Sequence, residues 1–264
     1  MRILLLFLWT ICIGLLSAQK LETKVDSLLY LTKQDISKDS LSSLYNSISN
    51  ETRSFDYEMS KAYGFKALQL SKQIDNRVNL CHAYHNLGSH YYYISEFDSS
   101  IYYNKLALKV ALDNDLKMLV GRSYNNLAVD YDQLGELDKA IEYSMKCLEV
   151  NEELGDIDGM ASANLELGSV YYQQGVYEEA MNHFKAALVL DTQVDYQSGM
   201  AYDYGNIGTV FQKMDQLDSA VYYLKKSAKI REELREYHSL TITYTNLGNI
   251  YRYSGRVDSA KVFF

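Results

Sequence analysis

Residues 121–160 read GRSYNNLAVDYDQLGELDKAIEYSMKCLEVNEELGDIDGM, and their pattern returns every forty residues. A glycine or alanine follows an aliphatic residue at Gly88, Ala128, Gly168, Gly208 and Gly248. Three residues on stands an aromatic: Tyr91, Tyr131, Tyr171, Phe211, Tyr251. Twelve residues after the glycine comes a small residue, at Ser100, Ala140, Ala180, Ala220 and Ala260. Nineteen after it comes another, at Ala107, Cys147, Ala187 and Ser227. A fixed period of this length marks a solenoid of stacked supersecondary units.

Inside one period the pattern is helical twice over. Tyr124, Leu127, Ala128 and Tyr131 fall at i, i+3, i+4 and i+7, the stripe of an amphipathic helix. Ala140, Tyr143 and Cys147 make a second stripe. Between them lies a turn at Gly135, Gly175 and Gly255, where glycine reaches the left-handed backbone conformation that closes a helix. Ser95 and Asp215 hold the same place elsewhere. An acid opens each second helix, at Asp98, Asp138, Glu178, Asp218 and Asp258, where unpaired N–H groups favour negative charge. Asp113-Asn114-Asp115 and Gly155-Asp156-Ile157-Asp158-Gly159 read as polar links between units. The expected fold is therefore all-α, made of antiparallel helix pairs, with repeats at 81–120, 121–160, 161–200 and 201–240 and a truncated one at 241–264.

Upstream the pattern fades. Ser60, Tyr63 and Ala67 keep the phase of a second helix, but Ile48 and Glu51 replace the glycine and the aromatic. Residues 38–80 read as a degenerate capping repeat, and residues 19–37 as a short helix and linker. Residues 1–18 have the form of a signal peptide: Arg2, an apolar run from Ile3 to Leu16, and a cut after Ala18. The run is short of the roughly 20 residues a membrane span needs. An uncleaved anchor is the alternative. Cys12 lies in that run without the small neighbours of a lipoprotein site. The last residues, from Asp258 to Phe264, read as half of a second helix, which is expected of a piece of a longer protein; the alternative is a genuine end that pairs with another molecule.

Composition narrows the partners. The formal net charge is −8, and removal of the signal segment would make it one unit more negative. That argues against nucleic acid or an anionic membrane surface. Proline is absent, as suits a chain that is nearly all helix. Cys81 and Cys147 form no disulfide framework, and Cys147 takes a slot held elsewhere by small residues. Many of the 25 tyrosines fall on repeat positions that face the core.

Taken together, these positions resemble the tetratricopeptide repeat (TPR), in the forty-residue Leu-Gly-Asn variety spelled out at Leu247-Gly248-Asn249. Kinesin light chains are similar. The resemblance covers residues 81–264 well and 38–80 weakly. It implies a right-handed superhelix whose groove, lined by first helices, binds an extended or helical peptide. In that variety an asparagine before the Leu-Gly pair often holds the peptide backbone. The matching residues are Asn86, Asn126, Asn206 and Asn246, with Glu166 departing in the fourth repeat. An amide offers a donor and an acceptor, which suits any peptide backbone. The alternative is that these amides tie adjacent helices together. The resemblance places His82, Arg122, Ser162, Tyr202 and Ile242 in one groove row, and His85, Asn125, Leu165, Gly205 and Thr245 in a second. Neither row has a lysine, which puts the terminal-carboxylate clamp of chaperone-binding members in doubt. Tyr92, Tyr93, Tyr172 and Tyr253 are expected at the rim.

Catalytic and cofactor chemistry find little support. His82 and His85 lie three apart beside Cys81, which could begin a metal site, but Arg122 stands where the next ligand should be. Gly205-Asn206-Ile207-Gly208 is a repeat position, not a phosphate loop. Glu152-Glu153 and Glu178-Glu179 read as solvated helix faces. The expectation is a non-enzymatic scaffold with no cofactor, exported to the periplasm or envelope of a Gram-negative-type bacterium, which binds a protein or peptide. The alternative is the extracytoplasmic sensor region of a larger signalling protein, with a membrane helix and a histidine kinase or regulator domain following.

Overall fold

The computed structural model describes residues 23–260. Those residues form α-helices joined by short turns, and no strand occurs among them. Helix α1 covers residues 23–31. Helix pairs follow: α2 (Lys38–Thr52) with α3 (Tyr57–Gln73), and α4 (Arg77–Tyr93) with α5 (Phe97–Asp113). Next come α6 (Lys117–Gln133) with α7 (Leu137–Leu154), and α8 (Ile157–Gln174) with α9 (Tyr177–Gln193). Last are α10 (Gln197–Lys213) with α11 (Leu217–Leu234), and α12 (Tyr237–Tyr253) with α13 (Val257–Ala260). The chain divides into two compact units, residues 1–123 and 124–264, and the boundary falls within α6. The expected signal segment, 1–18, and the end at 261–264 lie outside the described residues. No helix among those described is long and apolar enough to cross a membrane.

One left-handed residue recurs every twenty positions. Ser95, Gly135, Gly175, Asp215 and Gly255 take positive φ inside the repeats, and Asp75, Asp115, Gly155, Asp195 and Arg235 take it between them. At the turns inside the repeats, the next amide bonds back to the carbonyl of the recurring aromatic. The bonds run from Glu96 N to Tyr91 O at 2.8 Å, and from Glu136 N to Tyr131 O and Gln216 N to Phe211 O at 2.9 Å. This satisfies carbonyls that the helix end would leave open.

The stretches expected as polar links are half helix: Asp113 ends α5 and Ile157–Gly159 open α8, with turn residues only at 114–115 and 155–156. Helices start at Arg77, Lys117, Ile157, Gln197 and Tyr237, four residues ahead of the repeat origins read from the pattern. At two of these starts the polar residue before the helix caps it. The Asn76 side chain accepts a bond from Asn79 N at 2.8 Å, and Asp156 Oδ1 accepts one from Gly159 N at 3.1 Å.

Within each unit a helix packs mainly on its neighbours in sequence. In the first unit Leu80, Cys81, Ala83, Leu87, Ala107 and Ala111 are buried. In the second, Ala140, Leu167, Ala180, Ala187, Ala201 and Ala220 are wholly enclosed. The small residues let backbones approach. A Cβ on Gly208 would come within 2.8 Å of Leu224 Cγ and 3.2 Å of the Ala220 carbonyl. Leu224 itself is 1% exposed, a burial worth about 1.5–3 kcal/mol.

Some of the tyrosines are accounted for by a ring stack inside each of the four central pairs. Tyr91 lies on Tyr103 with centroids 5.3 Å apart, Tyr131 on Tyr143 at 5.5 Å, Tyr171 on His183 at 5.5 Å, and Phe211 on Tyr223 at 5.4 Å. Lysines lie over several of these rings, such as Lys139 over Tyr131 at 4.8 Å and Lys226 over Tyr223 at 5.9 Å.

Candidate functional site

In the first unit the first helices α2 and α4, with the start of α6, carry a polar surface. Asn46 occupies the position forty residues before Asn86, a match the faded upstream pattern conceals. Asn86 is buried, and its Nδ2 donates to Asn46 O at 2.9 Å and to Asn46 Oδ1 at 3.1 Å. The Asn46 amide in turn donates to Asn79 O at 3.0 Å. At Asn86, then, the amide joins adjacent first helices. A cavity of about 400 Å³ borders this chain of amides and is also lined by His82, Glu51 and Arg122.

His85 does not face that cavity. It is wholly buried, and its Nε2 lies 2.8 Å from Ser123 Oγ. Burial, then the Arg122 and His82 charges, hold its pKa well below the usual histidine value, so the ring is neutral. His82 is lowered too, by burial and then Arg122. The Cys81 thiol donates to Ala107 O at 3.2 Å, and burial pushes it up to about 12. No group of three or more candidate metal ligands occurs among the described residues. Tyr92 packs on Tyr93 and Phe97, with centroids 5.9 and 5.7 Å apart.

In the second unit the expected rows differ in exposure up to the last repeat. Ser162, Tyr202 and Ile242 are exposed, while Asn125, Leu165 and Gly205 are half-buried and Thr245 is exposed. Two cavities open between the first helices. One, of about 460 Å³, is bounded by α6, α8, α9 and α10 and lined by Asn125, Leu165, Glu166, Tyr172, Tyr202 and Asn206, among others. The other, of about 870 Å³, runs from α8 to the start of α12. They share Ser162, Leu165 and Tyr202, so they form one continuous groove along the unit. Asn206 is half-buried in its wall, and Asn126 and Asn246 are half-buried at the equivalent positions. Tyr172 rests against Tyr177 at 5.8 Å, and Tyr253 is 73% exposed beneath the Arg252 guanidinium.

Two acidic features lie along this groove. Glu166 Oε1 is buried and no donor reaches it. Burial first, and the Asp132 carboxylate second, push its pKa up to about 7. Asp132 itself accepts a bond from Gln173 Nε2 at 2.7 Å. Deeper in the packing, Asp191 on α9 is 3% exposed and Asp203 on α10 is wholly buried. Neither oxygen of Asp203 has a donor. Burial, then Asp191, push the Asp203 carboxyl up to about 8, so at neutral pH it keeps a proton to share with its neighbour. The sequence hides this pair, because other repeats carry Ala83, Ser123, Ala163 and Thr243 at the position of Asp203.

A tetratricopeptide repeat model matches residues 119–193 and 198–264, more than half of the chain, and the protein belongs to the tetratricopeptide repeat family. Among solved structures it is similar to BtubC (BKLC) of P. vanneervenii: 20% identity, TM-score 0.70, covering 82% of this chain and 90% of that one. It is similar to a Rap protein complexed with Competence and Sporulation Factor: 13% identity, TM-score 0.65, covering 92% and 73%. It is also similar to kinesin light chain TPR-like repeats of Podosopora anserina: 15% identity, TM-score 0.58, covering 69% and 90%. No curated protein matches it in sequence. At these identities the likeness is one of fold.

Proposed function

We propose that this protein is an exported, non-enzymatic scaffold that binds a peptide or protein segment in the groove of its second unit. The observation that carries the reading is the continuous groove from α6 to the start of α12, whose walls mix exposed Tyr202, apolar Leu165 and the half-buried amide of Asn206. A peptide needs such a surface: apolar area for side chains and amides that pair with its backbone. The Rap protein that resembles this chain is complexed with Competence and Sporulation Factor, which supports binding in a fold of this kind. Export rests on Arg2, the apolar run after it and the small residue Ala18.

The test is a pair of variants in a capture assay. Partners retained from a cell-envelope extract are identified, and one is titrated against wild type and Asn206→Ala. Loss of one neutral hydrogen bond is expected to weaken binding by about 0.5–1.5 kcal/mol while the helical signal stays unchanged. Equal affinity would remove Asn206 from the binding surface. Tyr202→Ala would then ask whether the groove is used at all.

A further inference from the structure

Glu166 breaks a regular series. An amide stands at Asn46, Asn86, Asn126, Asn206 and Asn246, and a carboxylate takes its place once. An amide can donate and accept, whereas an ionised carboxylate only accepts. Asn125 and Asn206 line the same cavity, yet Glu166 Oε1 is buried with no donor, and the charge that bears on it, Asp132, is of the same sign. Asp132 in turn is held by Gln173 Nε2. A buried acceptor without a donor is costly, so the site is unsatisfied as it stands.

The cavity around it has the remaining parts of a receptor. Glu166 is the one charged residue lining the 460 Å³ cavity among the described residues. Leu165 and the rings of Tyr172, Phe184 and Tyr202 supply apolar and aromatic wall. Such a wall suits a methylene stem and attracts a cation to ring faces. The adjoining cavity adds Asp158, Asp191, Asp195 and Glu236 against a single cation, Arg231, so a cationic segment is drawn along the whole groove. Divalent metal is disfavoured, because no suitable group of ligands occurs among the described residues.

We propose that this cavity seats a lysine or arginine side chain from within the bound segment, its cationic head on Glu166 and its stem against Leu165, Tyr172 and Tyr202. The inference rests on the groove reading above and adds the chemistry of the occupant. Binding supplies the missing donor and favours the charged form of Glu166. The Glu166 repeat thus selects a side chain, where the amide repeats hold backbone.

The test uses the full chain and sets of short fluorescent peptides, acetylated and amidated, with every position randomised except the centre. The centre is fixed as lysine, arginine, norleucine, glutamine or glutamate, and affinity is read by anisotropy at physiological salt. The lysine and arginine sets should bind about tenfold tighter than the norleucine set, as a charge-assisted bond allows. Glu166→Asn restores the residue of the equivalent repeats; it should abolish that preference and keep the binding of the neutral sets. Tyr202→Leu, at an exposed position that leaves the packing alone, should reduce the preference by about threefold by removing a ring face. If wild type binds no set, the groove reading fails and this one with it. If all sets bind alike, or if the preference survives in Glu166→Asn, the cation site alone is overturned. Loss of every set in Glu166→Asn with its melting temperature intact would also overturn it, since an amide should still hold neutral peptides.

Discussion

Replacing Asp203 by serine should stabilise this protein, and more so as the pH rises. Asp203 is wholly buried between α9 and α10, with no donor to either oxygen and with Asp191 beside it. Its carboxyl titrates near 8 in the folded chain against an ordinary value of 3.8. A raised carboxyl means that the folded state binds more protons than the unfolded state between those two values. Stability is therefore fullest below about pH 4 for this group and is progressively lost up to about pH 8. Each unit of difference is worth at most about 1.4 kcal/mol, which sets a ceiling of about 6 kcal/mol for the whole interval. The working figure is smaller, because Asp191 borders the open cavity of the second unit and water can reach the pair from there. At pH 8 the Asp203 carboxyl begins to lose that proton and leaves two buried carboxylates side by side, and removing this burden is the expected gain for Asp203→Ser, about 1–3 kcal/mol. Ser123 shows that a serine suits this position in another repeat. Urea melts followed by circular dichroism at pH 5 and pH 8 measure it. Glu166 also has a raised pKa and the same sign, but it is common to both proteins and cancels in the difference. A variant less stable than wild type at pH 8, or one whose gain is equal at both pH values, would refute the shared-proton account.

Ala180 is fully enclosed, and Ala180→Trp should overpack the α8–α9 contact and cost about 1–3 kcal/mol or more, read as a lower urea midpoint. Arg235 holds a left-handed turn at φ 61°, where Gly155 stands two repeats earlier, so Arg235→Gly should raise stability by about 0.5–1 kcal/mol. Asn86→Ala should lower stability by about 1 kcal/mol through the lost tie to Asn46, and should leave peptide affinity in the second unit unchanged. A drop in that affinity with stability intact would reverse the role assigned to Asn86.

Steric demands were the most legible part of the chain. Gly208 must be small because Leu224 and the Ala220 carbonyl crowd it, and Asn104 and Phe184 crowd Gly88 and Gly168 at the same position. The turn at Gly135 is forced by backbone sign, which few residues meet cheaply, so it shows in the letters. Helix starts were harder. Asp156 looks like a linker residue because the same oxygen that favours a loop also caps a helix. His85 shares a helix face with His82 by spacing, but whether that face meets solvent or the next first helix depends on Ser123, thirty-eight residues away. The Asp191–Asp203 pair was invisible for the same reason: each acid alone passes for an ordinary polar residue, and only packing brings them together.

The strict register has a genetic consequence. Because helices pack mainly on their neighbours in sequence and every turn restores the same phase, a deletion of forty residues that begins and ends at equivalent points of two repeats joins like to like. Such a deletion removes one helix pair and gives each surviving face a partner of the kind it had. Shortening the cut by a single residue inside a helix turns everything beyond the junction by about 100° about the helix axis, and it sets polar faces where apolar ones belong. In-frame loss or gain of a whole repeat is thus a small step for this chain, and loss of one residue within a helix is a large one.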